Sequence, residues 1–461
     1  MTGRSRSYTT VLSILSGGLL LYPLGIWPAS AQTLEKALAN AYAKNPTIEA
    51  QRAQLRATDE QVPQALSGYR PTLQATVNAG LSHQDTRLAS GASTDRSLRQ
   101  RGGNVSVAQP LYSGGRVDSG VKRAEALVQA QRANLLTTEQ TVLLDGATAY
   151  LDIVRDQAVV DLNVNNEQVL RRQLDASQDR FNVGEITRTD VSQAQSRLSR
   201  AVSDRIQAEG TLSASRAVYM RVIGASPGRL EAPRLSFDLP ASKGEAIELS
   251  QSNNPNVVAA EFSESASRNA VDQVRGEMLP SVNLRGTLSR NYGASALIDR
   301  SDNGSVSAEV TIPLYQAGAT ASRVREARHT VNQRRIQIEE ARRQTVENAI
   351  RAWEGLTTAR STIQSRQSQV RASGIALEGV RQEALVGSRT ILDTLDAEQE
   401  LLDARVQLVQ AQRDETVAAF SLLATVGQLT ARSLNLPVQH YDYTAYYNRV
   451  RDKWSGTDVN E

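Results

Sequence analysis

The acidic residues of this chain have the spacing that comes nearest to chemistry. Asp393 and Asp396 are three residues apart, which puts both on one face of a helix. Acids so placed attract cations, and an acid in a first helical turn also stabilises the helix dipole by about 0.3–1 kcal/mol. Asp190 sits in the same kind of turn, next to Thr189, and Arg389 follows a second one. Nothing around these residues completes a catalytic set. The chain has three histidines. His83, with Asp85 and Arg87 nearby, and His329 have no metal-ligand spacing and read as solvated. The chain has no cysteine, which excludes disulfides, thiolate metal sites, cysteine nucleophiles and an acylated N-terminal cysteine. We expect no enzyme, no catalytic residue, no metal and no cofactor.

Long helices must position these acids. No proline occurs between Pro110 and Pro227, or between Pro313 and Pro437. Residues 116–181 and 319–384 are rich in Ala, Gln, Arg and Glu, all good helix formers. At ~1.5 Å per residue each is a rod of roughly 100 Å, too long to fold into a globule and suited to side-by-side coiled-coil packing. Val183-Gly184 and Val386-Gly387 close the rods, with Gly where a C-terminal cap needs positive φ. Thr187-Arg188-Thr189-Asp190 and Thr390-Ile391-Leu392-Asp393 then match a capping box and open antiparallel return helices over 188–224 and 391–427.

The chain reads as one unit written twice. Asn45-Pro46 and Pro71 recur 209 residues later as Asn254-Pro255 and Pro280. Pro110-Leu111-Tyr112, Gly115, Val183-Gly184, Asp190, Leu198 and Gly224 recur 203 residues later. The first unit spans 32–240 and the second 241–430, with 431–461 as a C-terminal segment whose dense cluster of Tyr441, Tyr443, Tyr446, Tyr447 and Trp454 reads as a packing surface, with a partner surface as the alternative. Each unit opens with a helix capped by Asn and begun by Pro, then carries two strands, 71–83 with 103–112 and 280–291 with 303–314. Leu73, Ala75, Val77, Ala79 and Leu81 alternate with Gln74, Thr76, Asn78 and Gly80; Val306, Ala308, Val310 and Ile312 alternate with Ser307, Glu309 and Thr311. Strict alternation makes one apolar and one polar face. Residues 83–104 read as a loop.

Composition bounds the partners. Hydrophobic residues are 40% and aromatics 4%, too few to pack several globular cores. Arg4 and Arg6, an apolar run from Tyr8 to Trp27 and Ala29-Ser30-Ala31 form an export signal over 1–31, with maturation near Gln32. Removing two arginines takes the net charge from +3 to +1, so nucleic acid is not an expected partner. No later apolar stretch reaches the ~18 residues of a membrane helix, so a membrane crossing must use strands. Four strands cannot close a barrel, because an open edge in lipid leaves backbone groups unpaired at several kcal/mol each. Two, three or four chains would give eight, twelve or sixteen strands.

Residues 33 to about 430 resemble the TolC-type outer-membrane efflux and secretion channels. The residues that carry the resemblance are Pro-Leu-Tyr-x-x-Gly in both units, Phe181-Asn182-Val183-Gly184 with Thr189-Asp190-Val191, and the block from Val386-Gly387-Ser388-Arg389-Thr390 through Ile391-Leu392-Asp393-Thr394-Leu395-Asp396-Ala397. The resemblance implies a homotrimer with a transmembrane β-barrel in the outer-membrane lipid and a long α-helical barrel in the periplasm. It implies a passive exit duct, joined by a periplasmic adaptor to an inner-membrane ABC or RND pump. Asp393 and Asp396 would ring the entrance and raise some of one another's pKa values. Thr189, Asp190 and Arg389 would latch it, and Val183, Gly184, Val386 and Gly387 would dock the adaptor. The family's Tyr five residues before the basic latch residue is Ala384 here, so that part of the latch is missing or replaced. The alternative expectation is a non-conducting periplasmic coiled-coil scaffold whose strands form a soluble sheet.

Overall fold

The computed structural model describes residues 32–87, 89–233, 237–293 and 298–459, so the export signal lies outside the described residues. Three short helices come first: α1 (Leu34–Lys44), α2 (Pro46–Asp59) and α3 (Gln61–Leu66). Strands β1 (Thr72–Arg87) and β2 (Ser93–Tyr112) lead into the rod α4 (Arg116–Asn182) and its return α5 (Arg188–Ile223). The same order follows again: α6 (Lys243–Asn253), α7 (Pro255–Arg275), β3 (Ser281–Tyr292), β4 (Arg300–Thr311), the rod α8 (Ala319–Leu385) and its return α9 (Ile391–Thr425). A short helix, α10 (Ala445–Val450), lies in the C-terminal segment. The fold is mostly helical with one four-stranded antiparallel sheet in the order β1-β2-β3-β4. No described helix is long and apolar enough to cross a membrane.

Asparagine holds the corners together. The Asn45 carboxamide oxygen accepts from the Thr47 amide at 2.8 Å, while its Nδ2 donates to the Val222 carbonyl at 2.8 Å. Asn254 does the same to Asn256 at 3.0 Å and Thr425 at 2.9 Å. Each side chain thus caps the start of one helix and one orphan carbonyl at the end of a return helix. The main core surrounds these corners. Leu38, Ile48, Leu143, Tyr150, Tyr219, Ile223, Phe420 and Leu429 are buried there. The C-terminal segment packs against α1, α2 and α4: Tyr42 Oη accepts from the Tyr441 amide at 3.0 Å, Tyr446 Oη donates to Glu60 at 2.7 Å, and the Arg132 guanidinium stacks over Tyr443 and Tyr447.

The first hairpin is longer than the alternation implied. Polar residues occupy both faces beyond Leu81, which hides the strand from a period-2 reading. Backbone pairing nonetheless continues from Ser82↔Leu98 up to Arg87↔Ser93. Residues 83–104 are therefore mostly strand, and His83, Asp85 and Arg87 lie on β1 rather than in a loop. His83 Nε2 sits 3.2 Å from Asp95 across the pair. In the second hairpin, β4 starts at Arg300 and ends at Thr311, short of residue 314.

Candidate functional site

The tips of the two rods have nearly the same backbone. The Gly184 amide donates to the Phe181 carbonyl at 3.0 Å and the Glu185 amide to Arg180 at 2.9 Å. At the second tip Gly387 donates to Ala384 at 3.1 Å and Ser388 to Glu383 at 3.0 Å. Gly184 has φ +82° and Gly387 φ +80°, the left-handed region in which a β-carbon is strained. Nothing lies within 4 Å of where either β-carbon would point, so both turns face open space. Val183 and Val386, at 72% and 80% exposure, project beside them.

Both return helices start with a complete capping box. Asp190 Oδ2 accepts from the Thr187 amide at 2.9 Å and the Thr187 hydroxyl at 2.8 Å. Asp393 Oδ2 accepts from the Thr390 amide at 3.0 Å and hydroxyl at 2.8 Å. These two donors stabilise the carboxylate and hold the Asp393 pKa below the usual range, with Arg389 adding to the effect. Within one chain Asp393 therefore titrates low.

Within one chain the remaining site residues have these partners. Arg389 Nε donates to Glu383 at 2.8 Å, on the last turns of its own rod. Among the described residues no hydrogen bond joins it to Thr189 or Asp190 within the chain. Asp396 pairs with Arg197, which links the two return helices α9 and α5. Leu170 of α4, Ala201 of α5 and Leu395 of α9 form a small buried cluster, with Leu198 and Ile391 against it. Arg197 was missed from sequence, although the repeat marks it. Its counterpart 203 residues on is Glu400, just as the counterpart of Asp396 is Gln193. Both partners of the bridge break the repeat, so each chain makes it once.

At the other end, the sheet has one largely apolar face. Leu73↔Val107, Ala75↔Val105↔Leu288 and Gly286↔Val306 are cross-strand neighbours, so these side chains share one face. On it Val77 is 87% exposed, Leu81 82% and Val306 79%. The opposite face carries Gln74, Thr76, Asn78, Asn104, Ser106, Thr287, Ser289, Asn303 and Ser305. An apolar face this bare is a lipid or protein contact. β1 and β4 each keep one unpaired edge.

Known proteins share this arrangement. The family model described as "Outer membrane efflux protein" matches residues 37–225 and 246–428. The outer membrane efflux protein BepC of Brucella suis biovar 1 is 31% identical over 430 residues, covering 93% of this chain and 92% of its own. The outer membrane protein TolC of Salmonella enteritidis is 24% identical, covering 88% and 84%. Among solved structures, the Campylobacter jejuni CmeC outer membrane channel superposes with a TM-score of 0.78 at 14% identity, covering 91% of this chain and 89% of that one. The two matched segments each run from the capped opening helix through a strand pair and a rod to the end of a return helix. On that ground the chain belongs to the outer membrane efflux protein family, and its place is the outer membrane.

Proposed function

We propose that the chain is one third of a passive exit duct, a homotrimer that serves a tripartite efflux or type I secretion system. The observation that carries this is the sheet: one face is bare and apolar while β1 and β4 have unpaired edges. An open edge is not stable in lipid, so copies must close the sheet, and three copies make a twelve-stranded barrel. The rods would continue it as a helical tube in the periplasm, with the core around Tyr150 and the C-terminal segment forming an equatorial belt. Val183, Gly184, Val386 and Gly387 offer end-on turns to a periplasmic adaptor, and an inner-membrane ABC or RND pump supplies the energy.

The tip acids then act at the entrance. Asp393 and Asp396 face the constriction when three α9 helices converge, and Asp396 is tied to α5 by Arg197. Opening must break this pair, because it joins two helices that move apart when the tip dilates. Within one chain Arg389 is held by Glu383. A latch at Thr189, Asp190 and Arg389 is therefore a contact between neighbouring copies, and the link inside one chain falls to Arg197 and Asp396.

The test is purification in detergent followed by unheated and heated gels and planar-bilayer conductance. A trimer that resists SDS unheated, and that conducts, is expected. A conducting monomer would sink the trimer, and a non-conducting soluble assembly would favour the scaffold.

A further inference from the structure

The apolar face of the sheet does not end in uncharged residues at its hairpin end. Ala79 pairs with Arg101, Leu81 with Arg99, Arg101 with Tyr292, Tyr292 with Arg300, and Gly103 with Arg290. Direct cross-strand partners share a face, so Arg99, Arg101, Arg290 and Arg300 all lie on the apolar face, from the level of Val77 toward the hairpin end. All four are exposed. At that level the face holds one acid, Asp302, which accepts from Arg290 Nε at 2.7 Å and also pairs with Arg300. Arg101 stacks over Tyr292 at 5.3 Å. The excess is three positive charges per chain. Nearer the hairpin turn, Asp85 and Asp95 stand opposite each other beside His83 and Arg87.

Two contrasts give this cluster its meaning. The polar face at the same level carries Gln100, Gly102, Asn291, Ser301 and Asn303, none of them charged. Arginines placed for solubility alone would not avoid the face that already meets water. The rod end of the apolar face carries Leu73, Val107, Leu284 and Val310 with no arginine among them. At this level the charge is confined to one face; the polar face carries Arg96 only nearer the turn and Arg285 and Glu309 only nearer the rods. Arginine is also the side chain best matched to phosphate, through its planar fork of donors.

We infer that this cluster is a binding surface for the phosphorylated saccharide headgroup of an outer-leaflet glycolipid, whose acyl chains lie along Leu81, Val77, Leu73, Val306 and Leu288. The inference rests on the reading above that puts the rods in the periplasm, because this places the hairpin end at the outer leaflet. Basic side chains at the edge of a membrane-spanning surface hold anionic lipid headgroups by the same physics. Arg99 and Arg101, two residues apart on β2, supply the unpaired charge. Arg290 and Arg300, already sharing Asp302, frame it.

The experiment uses the full chain, purified as its detergent assembly and stripped of lipid. Binding of bisphosphorylated lipid A, of the same lipid without its phosphates, and of inorganic phosphate is measured by native mass spectrometry and by competition. The bisphosphorylated lipid should bind at least ten-fold more tightly than its dephosphorylated form. Combined Arg99→Gln and Arg101→Gln should erase that preference, while Arg285→Gln, on the polar face, should keep it. Equal affinity for the two lipids, an unchanged preference in the double variant, or displacement of the lipid by equimolar inorganic phosphate would overturn the inference. Failure of the orientation is read separately. Gly91→Cys, in a chain without other cysteines, should react on intact cells with a membrane-impermeant thiol reagent. An unlabelled Gly91→Cys variant that still binds the lipid would place the same surface in the inner leaflet and overturn the outer-leaflet assignment.

Discussion

The rods α4 and α8 have the same length, 67 residues, and the same turn at their ends, yet one chain covers them very differently. In α4, 22 residues are buried; in α8, eight. α4 is wrapped by α1, α2, α5, α7 and α9, and Arg413 of α9 reaches Asp152 at 2.8 Å. α8 meets mainly α9, α7 and α6, and its Ile336 and Ile375 stand 69% and 76% exposed. Helical propensity makes a rod, but neighbours decide which stripe of it is dry. The unclad flank of α8 is where another copy belongs in the proposed trimer.

Leu143→Ala tests the wrapped rod first. Leu143 is fully buried in the main core, and its truncation should cost about 2–5 kcal/mol, read as a lower thermal midpoint of the purified assembly. Ile375→Ala should leave the single chain's folding nearly unaltered, whereas Ile375→Asp should cut the yield of SDS-resistant trimer several-fold. If Ile375→Asp trimers form normally, the open flank of α8 is solvent surface and the contrast between the rods has misled us.

The glycine turns separate strain from collision. A β-carbon at Gly427 would lie 2.5 Å from the Asn253 carbonyl, at φ +79°. Gly427→Ala should therefore destabilise the corner of the second half by more than Gly387→Val destabilises the tip, where only strain of about 1 kcal/mol or more applies. Gly387→Val should abolish export and adaptor crosslinking while trimers persist. Normal export in that variant would remove the turns from the docking proposal.

A smaller effect is expected from the acids. Asp396→Asn should lower cation selectivity and multivalent-cation block, and Arg197→Ala should raise the open-channel conductance by freeing α9 from α5. Asp190→Asn should change both much less. Equal effects from Asp190→Asn and Asp396→Asn would reduce all these carboxylates to helix caps.

Asp59, on α2, is a buried acid. Burial lifts the Asp59 carboxyl from 3.8 to about 6, against the pull of Arg132, and neither of its oxygens has a hydrogen-bond partner among the described residues. The 209-residue counterpart is Arg268, exposed and paired with Glu264. A carboxyl with a raised folded pKa contributes its full stability below the unfolded value and loses it as pH rises through about 6. Asp59→Asn should raise stability at pH 7 by on the order of 1–2 kcal/mol and flatten the thermal midpoint between pH 4 and 7. An unchanged pH profile would mean that the site is wet.

Periodicity and caps in the sequence alone determined the local elements. Proline-free stretches make rods because every residue in them can keep its backbone hydrogen bond. Thr at the N-cap with Asp three residues on makes the return helices, and Gly184 and Gly387 mark turns because few other residues tolerate positive φ. Local signals of this kind act within a few residues and need no partner. The tertiary structure decided what lies between distant residues. β1 runs on to Arg87 because β2 pairs with it, although alternation ends near Leu81. Asp396 meets Arg197, 199 residues away, rather than standing free. Four arginines from three strands converge on one face only through the register of the sheet. Such contacts depend on the packing of elements that are far apart in sequence, and no local pattern encodes that distance.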